Sequence, residues 1–140
     1  MNDKMKKSVL SLIPFLTACA GGPPEDIGIE NGKLAPCPRS PNCVSSYAID
    51  ETHQIEPIAA NLDQIEGELL KLNEANIVSM DRTYLHAEFT SRFMHYVDDV
   101  EFLFDQAAGL VHVRSASRVG YSDLGVNRKR IESIRRAVKS

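Results

Sequence analysis

The sequence predicts an α+β domain, with an antiparallel meander of three to five strands packed against about two helices, the C-terminal helix included. Three observations carry this. Consecutive segments between Tyr84 and Ser117 alternate apolar and polar residues across short connections, the period-two signature of antiparallel strands. The chain ends in a basic amphipathic segment whose apolar stripe is Ile131, Ile134 and Val138. Charge is also divided along the chain. Residues 51–110 hold twelve acids and three bases, whereas residues 111–140 hold eight bases and two acids, Asp123 and Glu132. A net of −9 is thus followed by a net of +6, and the two halves are expected to fold against each other.

A length of 140 residues suits one domain rather than two. With 43% hydrophobic and 25% charged residues, the composition is that of a globular chain. The formal net charge of −3 gives no reason to expect a nucleic-acid partner.

Residues 1–18 read as a signal peptide. Lys4, Lys6 and Lys7 form a positive n-region, and Ser8 to Phe15 is mostly apolar. That run is shorter than the roughly 20 residues a membrane span requires. Leu16-Thr17-Ala18-Cys19 resembles the bacterial lipobox. The resemblance implies that Cys19 becomes the lipidated N-terminus, because its thiol is the nucleophile that accepts the glyceryl group. Each buried acyl methylene adds about 0.8 kcal/mol of membrane affinity. A plain secretory signal with an incidental Cys is the alternative. An Asp after the Cys would resemble an inner-membrane retention signal. Ala20 stands there instead, so the expected location is the outer membrane, facing the periplasm. Residues 19–33, rich in Gly and Pro, are expected to be an irregular, mobile tether, with the domain over 34–140.

Cys37 and Cys43 open that domain, six positions apart among Pro36, Pro38 and Pro41. An exported chain meets an oxidising compartment, and with Cys19 lipidated one pair remains. A structural disulfide is the expectation. A redox or metal role is the alternative, although two thiols make half a zinc site and no C-x-x-C is present. His53 to Ile58 reads as a short strand or an extended entry. Asn61 to Asn73 reads as a helix on the spacing of Leu62, Ile65, Leu69 and Leu72, with Asn61 as N-cap.

Asn76 to Met80, Tyr84 to Phe93, Tyr96 to Asp105 and Leu110 to Ser117 read as strands. One face of the sheet would carry Leu85, Ala87, Phe89, Phe93, Val100, Phe102 and Val113. The other would carry His86, Glu88, Arg92, Asp99, Glu101, His112 and Arg114. The second face reads as a ladder of cross-strand charge pairs. Metal binding through His86, His112 and Glu88 is its alternative. Asp98 falls on the apolar face by parity, so it needs a partner, and an Arg of the basic segment is the natural one.

Ser115, Ser117, Gly120, Ser122 and Asp123 lead into the final helix, which Ser122 or Asp123 can cap. Gly and Ser near a helix start, beside Arg114 and Arg118, are also suited to an anion. No G-x-S-x-G elbow accompanies the serines.

The segments PCPRSPNCVSS, YLHAEFTSRFMHYVDDVEF and VHVRSASRVGYSDLGVNRKRIESIR resemble the bacterial and plastid family known as domain of unknown function 1499. The residues matching its signature include Cys37, Asn42, Cys43, Asp98, Asp99, Arg114, Arg118, Gly120, Asp123, Gly125, Asn127 and Arg128. The resemblance implies an exported or membrane-associated single domain and carries over no reaction, ligand or catalytic residue.

The sequence therefore reads as a lipid-anchored envelope module, non-catalytic, without cofactor or metal. Asp98 and Asp99 are expected in structural ion pairs. The candidate ligand surface is the cluster Arg114, Ser115, Ser117, Arg118, Ser122, Asp123, Asn127 and Arg128, facing an anionic small molecule or an envelope protein. The alternative is a hydrolase-like enzyme using Asp98 or Asp99 with Ser115 or Ser117.

Overall fold

The computed structural model describes residues 21–140; the expected signal peptide over residues 1–18 and the expected lipidation site Cys19 lie outside them. Seven strands and two helices follow in order: β1 (Ile29–Glu30), β2 (Lys33–Leu34), β3 (Cys43–Ser45), α1 (Leu62–Leu69), β4 (Ala75–Met80), β5 (Tyr84–Thr90), β6 (Val97–Asp105), β7 (Leu110–Ser117) and α2 (Val126–Val138). The main sheet is antiparallel in the order β3-β7-β6-β5-β4. Strands β4 to β7 form the expected meander, and β3 returns to the outer edge of β7.

One face of the sheet presents Leu85, Ala87, Phe89, Val100, Phe102, Val111 and Val113 to Ile65 and Leu69 of α1 and Ile131 and Ile134 of α2. These side chains form one core, because alternate strand residues share a face and the helical residues recur every three or four positions. Asn61 caps α1 in a capping box. Its side chain accepts from Gln64 N–H, and the Gln64 side chain accepts from Asn61 N–H. The helix stops at Leu69 rather than Asn73, where Leu72 N–H bonds the Leu69 carbonyl in a tight turn. The segment His53 to Ile58 is not a strand. It touches the sheet through single bridges, Gln54 to Ser45 and Ile58 to Val111.

The second face departs from the expected solvated ladder. His86, Asp99, Glu101 and Arg114 are buried there. Residues 24–38 lie over it, and part of the expected tether is therefore ordered. Asn31 and Gly32 both have positive φ (51° and 76°) and join β1 to β2 in a two-residue hairpin. Gly28 N–H then reaches Glu101 Oε1 at 2.8 Å, and Leu34 packs with Tyr84 and Leu103. Two further residues leave their expected face. Strand β5 ends at Thr90, so Arg92 and Phe93 fall in an exposed loop, with Phe93 87% exposed.

Candidate functional site

Alternation along β7 splits the expected ligand cluster in two. Ser115 and Ser117 face the helices with Val111 and Val113, whereas Arg114 and the following Arg118 face the opposite side with Asp99 and Glu101. One continuous surface over Arg114, Ser115, Ser117, Arg118, Ser122, Asp123, Asn127 and Arg128 therefore does not form.

On the helix side the centre is Asn127, which is fully buried. Its Oδ1 accepts from Ser115 Oγ at 2.6 Å and from Arg130 Nη1 at 2.8 Å. Its Nδ2 donates to Asp123 Oδ2, Ser117 Oγ and the Asn42 carbonyl at 2.7, 2.9 and 3.2 Å. Arg130 completes the group by reaching Asp98 Oδ2 at 2.6 Å and lying over the Phe89 ring, 4.7 Å from its centroid. Asp98 thus meets an arginine of the basic segment.

The start of α2 already holds an anion of the chain itself. The N-cap is Gly125 at φ 78°, where a side chain would be strained, and it contributes no side-chain bond. Asp123 does that work: its carboxylate accepts from Gly125 N–H at 2.9 Å and Asn127 N–H at 3.0 Å. Burial alone would push this carboxyl up, but the bonds from Asn127 and Gly125 outweigh it and hold it below the ordinary Asp range. Ser122 is exposed and accepts from Leu124 N–H at 3.3 Å. Arg128 lies elsewhere, donating to the Gln54 and Thr52 carbonyls at 2.6 and 3.2 Å, and so pins the loop before α1.

On the opposite side two arginines meet two fully buried carboxylates. Arg118 grips Asp99 through Nε at 2.7 Å and Nη2 at 2.8 Å, and also pairs with Glu88. His86 Nε2 donates to the same Asp99 at 2.8 Å. Burial would raise the Asp99 pKa; the bonds from Arg118 and His86 prevail and lower it. For Arg118 the bond to Asp99 is the leading cause of a raised pKa. Arg114 reaches Glu101 at 3.3 Å and Asp26 at 2.7 Å. Tyr84 donates to Glu101 at 2.8 Å, and its phenol is pushed far up, first by burial and then by the Glu101 charge. Arg114 Nε is buried without a hydrogen-bond partner among the described residues. A cavity of about 380 Å³ beside the disulfide is lined by Asp99, Arg114, Ser117 and Arg118.

The residues of the enzyme alternative are otherwise engaged. Ser115 donates to an amide oxygen, Asp98 holds Arg130 and Asp99 holds Arg118 and His86, so no carboxylate stands as base to either hydroxyl. Nor does the metal alternative assemble. His112 stacks on Tyr47 with ring centroids 4.4 Å apart, while His86 binds Asp99. Among the described residues no group of three or more His, Cys, Asp or Glu is placed to hold an ion. Cys37 and Cys43 are joined in a disulfide.

Arg130, Asn42 and Asp26 belong to these networks although the sequence did not place them there, whereas Glu88 was expected on the second face. Arg130 had a usable signal, since it lies three residues from Asn127 on one helix face. A groove on the helix side was not foreseen either. This groove of about 900 Å³ runs between α2 and the β4–β5 edge, with Leu72, Phe89 and Ile134 on its apolar wall and Arg92, Lys129 and Arg130 as cations.

Residues 33–138 match the model of a family described as a protein of unknown function, DUF1499. No curated protein matches, and no solved structure does.

Proposed function

Because the chain belongs to the DUF1499 family, which brings no activity with it, we propose from residues and geometry that it is a lipid-anchored, non-catalytic module of the bacterial cell envelope. The observation that carries the non-catalytic half is the closure of the polar network. Asn127, Arg130 and Asp98 bind one another on one side of the sheet, and Arg118 and Asp99 on the other, as residues that specify a fold do. The lipobox at Cys19 and the Cys37–Cys43 disulfide support the anchor and an oxidising compartment. Ala20, standing where an Asp would resemble an inner-membrane retention signal, supports attachment to the outer membrane facing the periplasm. Cys19→Ala should release the protein from the membrane fraction, and globomycin should cause the unprocessed form to accumulate. A Cys19→Ala chain that is still processed and still sediments with membranes would refute the anchor.

A binding role has its own observation. The groove beside α2 combines an apolar wall with Arg92, Lys129 and Arg130, the combination an amphiphilic anion requires. Isothermal calorimetry with a medium-chain alkyl phosphate should show binding that Lys129→Glu weakens at least tenfold. Equal affinity for wild type and variant would remove the groove from the account.

A further inference from the structure

Four of the most exposed apolar side chains of this domain lie on two neighbouring loops at one end of the sheet, while Ile49, Leu70, Val78 and Ile29 are exposed singly outside those loops. Strands β5 and β6 are joined by a loop closed between Ser91 N–H and the Tyr96 carbonyl at 2.9 Å. Its tip carries Phe93, 87% exposed, and Met94, 64% exposed. Strand β7 and α2 are joined by the neighbouring loop, whose base is tied to the first by Arg118 N–H on the Val97 carbonyl at 3.1 Å. That loop carries Tyr121, 74% exposed, and Leu124, 85% exposed. Four large apolar side chains on two adjacent tips are more than the scattered exposure normal for a surface.

The tips stand on firm stems. Asn42 Nδ2 holds the Gly120 carbonyl at 2.9 Å, and Asp123 is locked to the start of α2. Exposed cations flank the tips: Arg92 sits beside Phe93, Lys129 lines the same groove as Ser91 and Arg92, and Arg39 of the disulfide loop is exposed. Asp98, Asp123 and Glu88 are engaged internally, while Glu74, next to the first loop, and Asp50, paired with His53 beside Ser40, are exposed acids.

The chain also enters at this end. A Cβ on Gly21 would meet Arg118 Cβ at 3.2 Å and Val119 Cγ1 at 3.3 Å, so Gly21 lies against the stem of the second loop. Cys19 precedes Gly21 by two residues, which span at most about 7 Å when fully extended.

We propose that this end is a membrane-seating surface. Phe93, Met94, Tyr121 and Leu124 enter the headgroup–acyl boundary of an anionic bilayer, and Arg39, Arg92 and Lys129 rest on its phosphates. Aromatic and aliphatic side chains flanked by cations suit that boundary. The domain then lies directly on the membrane rather than hanging below it on a tether. The inference rests on the Cys19 anchor for its proximity argument, whereas the apolar tips and cations are independent of it.

The chain contains no Trp, which provides a clean reporter. Phe93→Trp and Tyr121→Trp test the tips. Ala107→Trp, in the exposed β6–β7 turn, reports from the other end of a nine-residue strand, roughly 30 Å away. Each full-length protein, checked for an unchanged melting curve, is placed with vesicles of phosphatidylethanolamine and phosphatidylglycerol, with and without brominated acyl chains. Indole emission in the Phe93→Trp and Tyr121→Trp proteins is expected to shift to the blue and to be quenched by bromine, while that in the Ala107→Trp protein stays solvent-like. Equal quenching at all three positions overturns the proposal. So does a blue shift at position 93 that needs no vesicles and grows with protein concentration, which would mark a second copy as the occupant. Mass spectrometry of the same samples shows whether Cys19 is acylated. An unacylated Phe93→Trp protein whose indole is still quenched would separate failure of the anchor from failure of the seating surface.

Discussion

Asn127 has a side chain that few others could replace. It receives two donors on its oxygen and offers its amide hydrogens to three acceptors, in a place without solvent. Asn127→Ala would leave the Ser115 hydroxyl without its acceptor and the Ser117 hydroxyl without its donor, while the Asn42 carbonyl keeps Ser117 N–H and Arg130 keeps Asp98 and Ser115; each unsatisfied buried group costs about 1–3 kcal/mol. A loss of about 3 kcal/mol or more is expected in urea unfolding. Asp99 gives a prediction of opposite control, through pH. Its pKa is lower in the folded state than the ordinary aspartate value of 3.8. The unfolded chain therefore binds more protons in that range, and stability rises with pH there. The Asp99 contribution is fully present above the unfolded pKa and is lost as pH falls through the folded one. Melts between about pH 5 and pH 2 should decline in the wild type, and Asp99→Asn should flatten that decline while lowering stability at neutral pH. The sequence marked Asp99 and Asn127 as matched positions. Alternation set Asp99 on the second face, but it did not bring Asn127 against Ser115 and Ser117, because which strand residues a helical side chain meets depends on how α2 docks and not on the strand period.

Among the elements, α2 and the β1–β2 hairpin differ in how far the sequence announced them. Helix α2 was legible from its stripe and its charge, and the docking inferred from charge is present in Arg130–Asp98. Two of its arginines nevertheless reach across to backbone carbonyls rather than to acids of the preceding segment, although Arg135 also pairs with Glu132 of its own helix. Arg135 donates to the Pro57 and Glu56 carbonyls, and Arg128 to those of Gln54 and Thr52. Charge counting cannot see a carbonyl, so it found the helix and misjudged what part of the helix grips. A double-mutant cycle of Asp98→Ala and Arg130→Ala should show a coupling of about 1 kcal/mol or more. The hairpin was passed over although Asn31-Gly32 is a strong two-residue turn signal, because its strands are two residues each and carry no alternation to read. Gly32→Val would force a branched side chain to φ 76° and open the hairpin. Hydrogen exchange should then quicken at Gly28 while the β5–β6 ladder remains protected.

Across the whole molecule, the meander and the helical layer followed from periodicity, and the covered second face did not. Alternation states that a residue points away from the core, but not whether water or more chain awaits it there. Here residues 24–38 await it, and Asp99 and Glu101 are buried on a face that composition alone would have left wet. The disulfide ties this cover to β3. Replacing Cys37 and Cys43 by Ser should cost about 2 kcal/mol, as expected for so short a ring, visible as a lower melting temperature that reductant reproduces in the wild type.

The pairing of β3 with β7 has a temporal consequence. Cys43 lies opposite Ala116, and Asn42 meets both Ser117 and Asn127, across more than seventy residues. A polypeptide threaded through a translocon from its amino end would deliver β3 first and its partners last. The sheet then has no outer edge, and the Asn127 hub no floor, until nearly the entire length has emerged, so maturation would be all-or-nothing at the end of transit. Contacts this remote in sequence close slowly, and the nascent chain would depend on holdase protection until its final helix arrives.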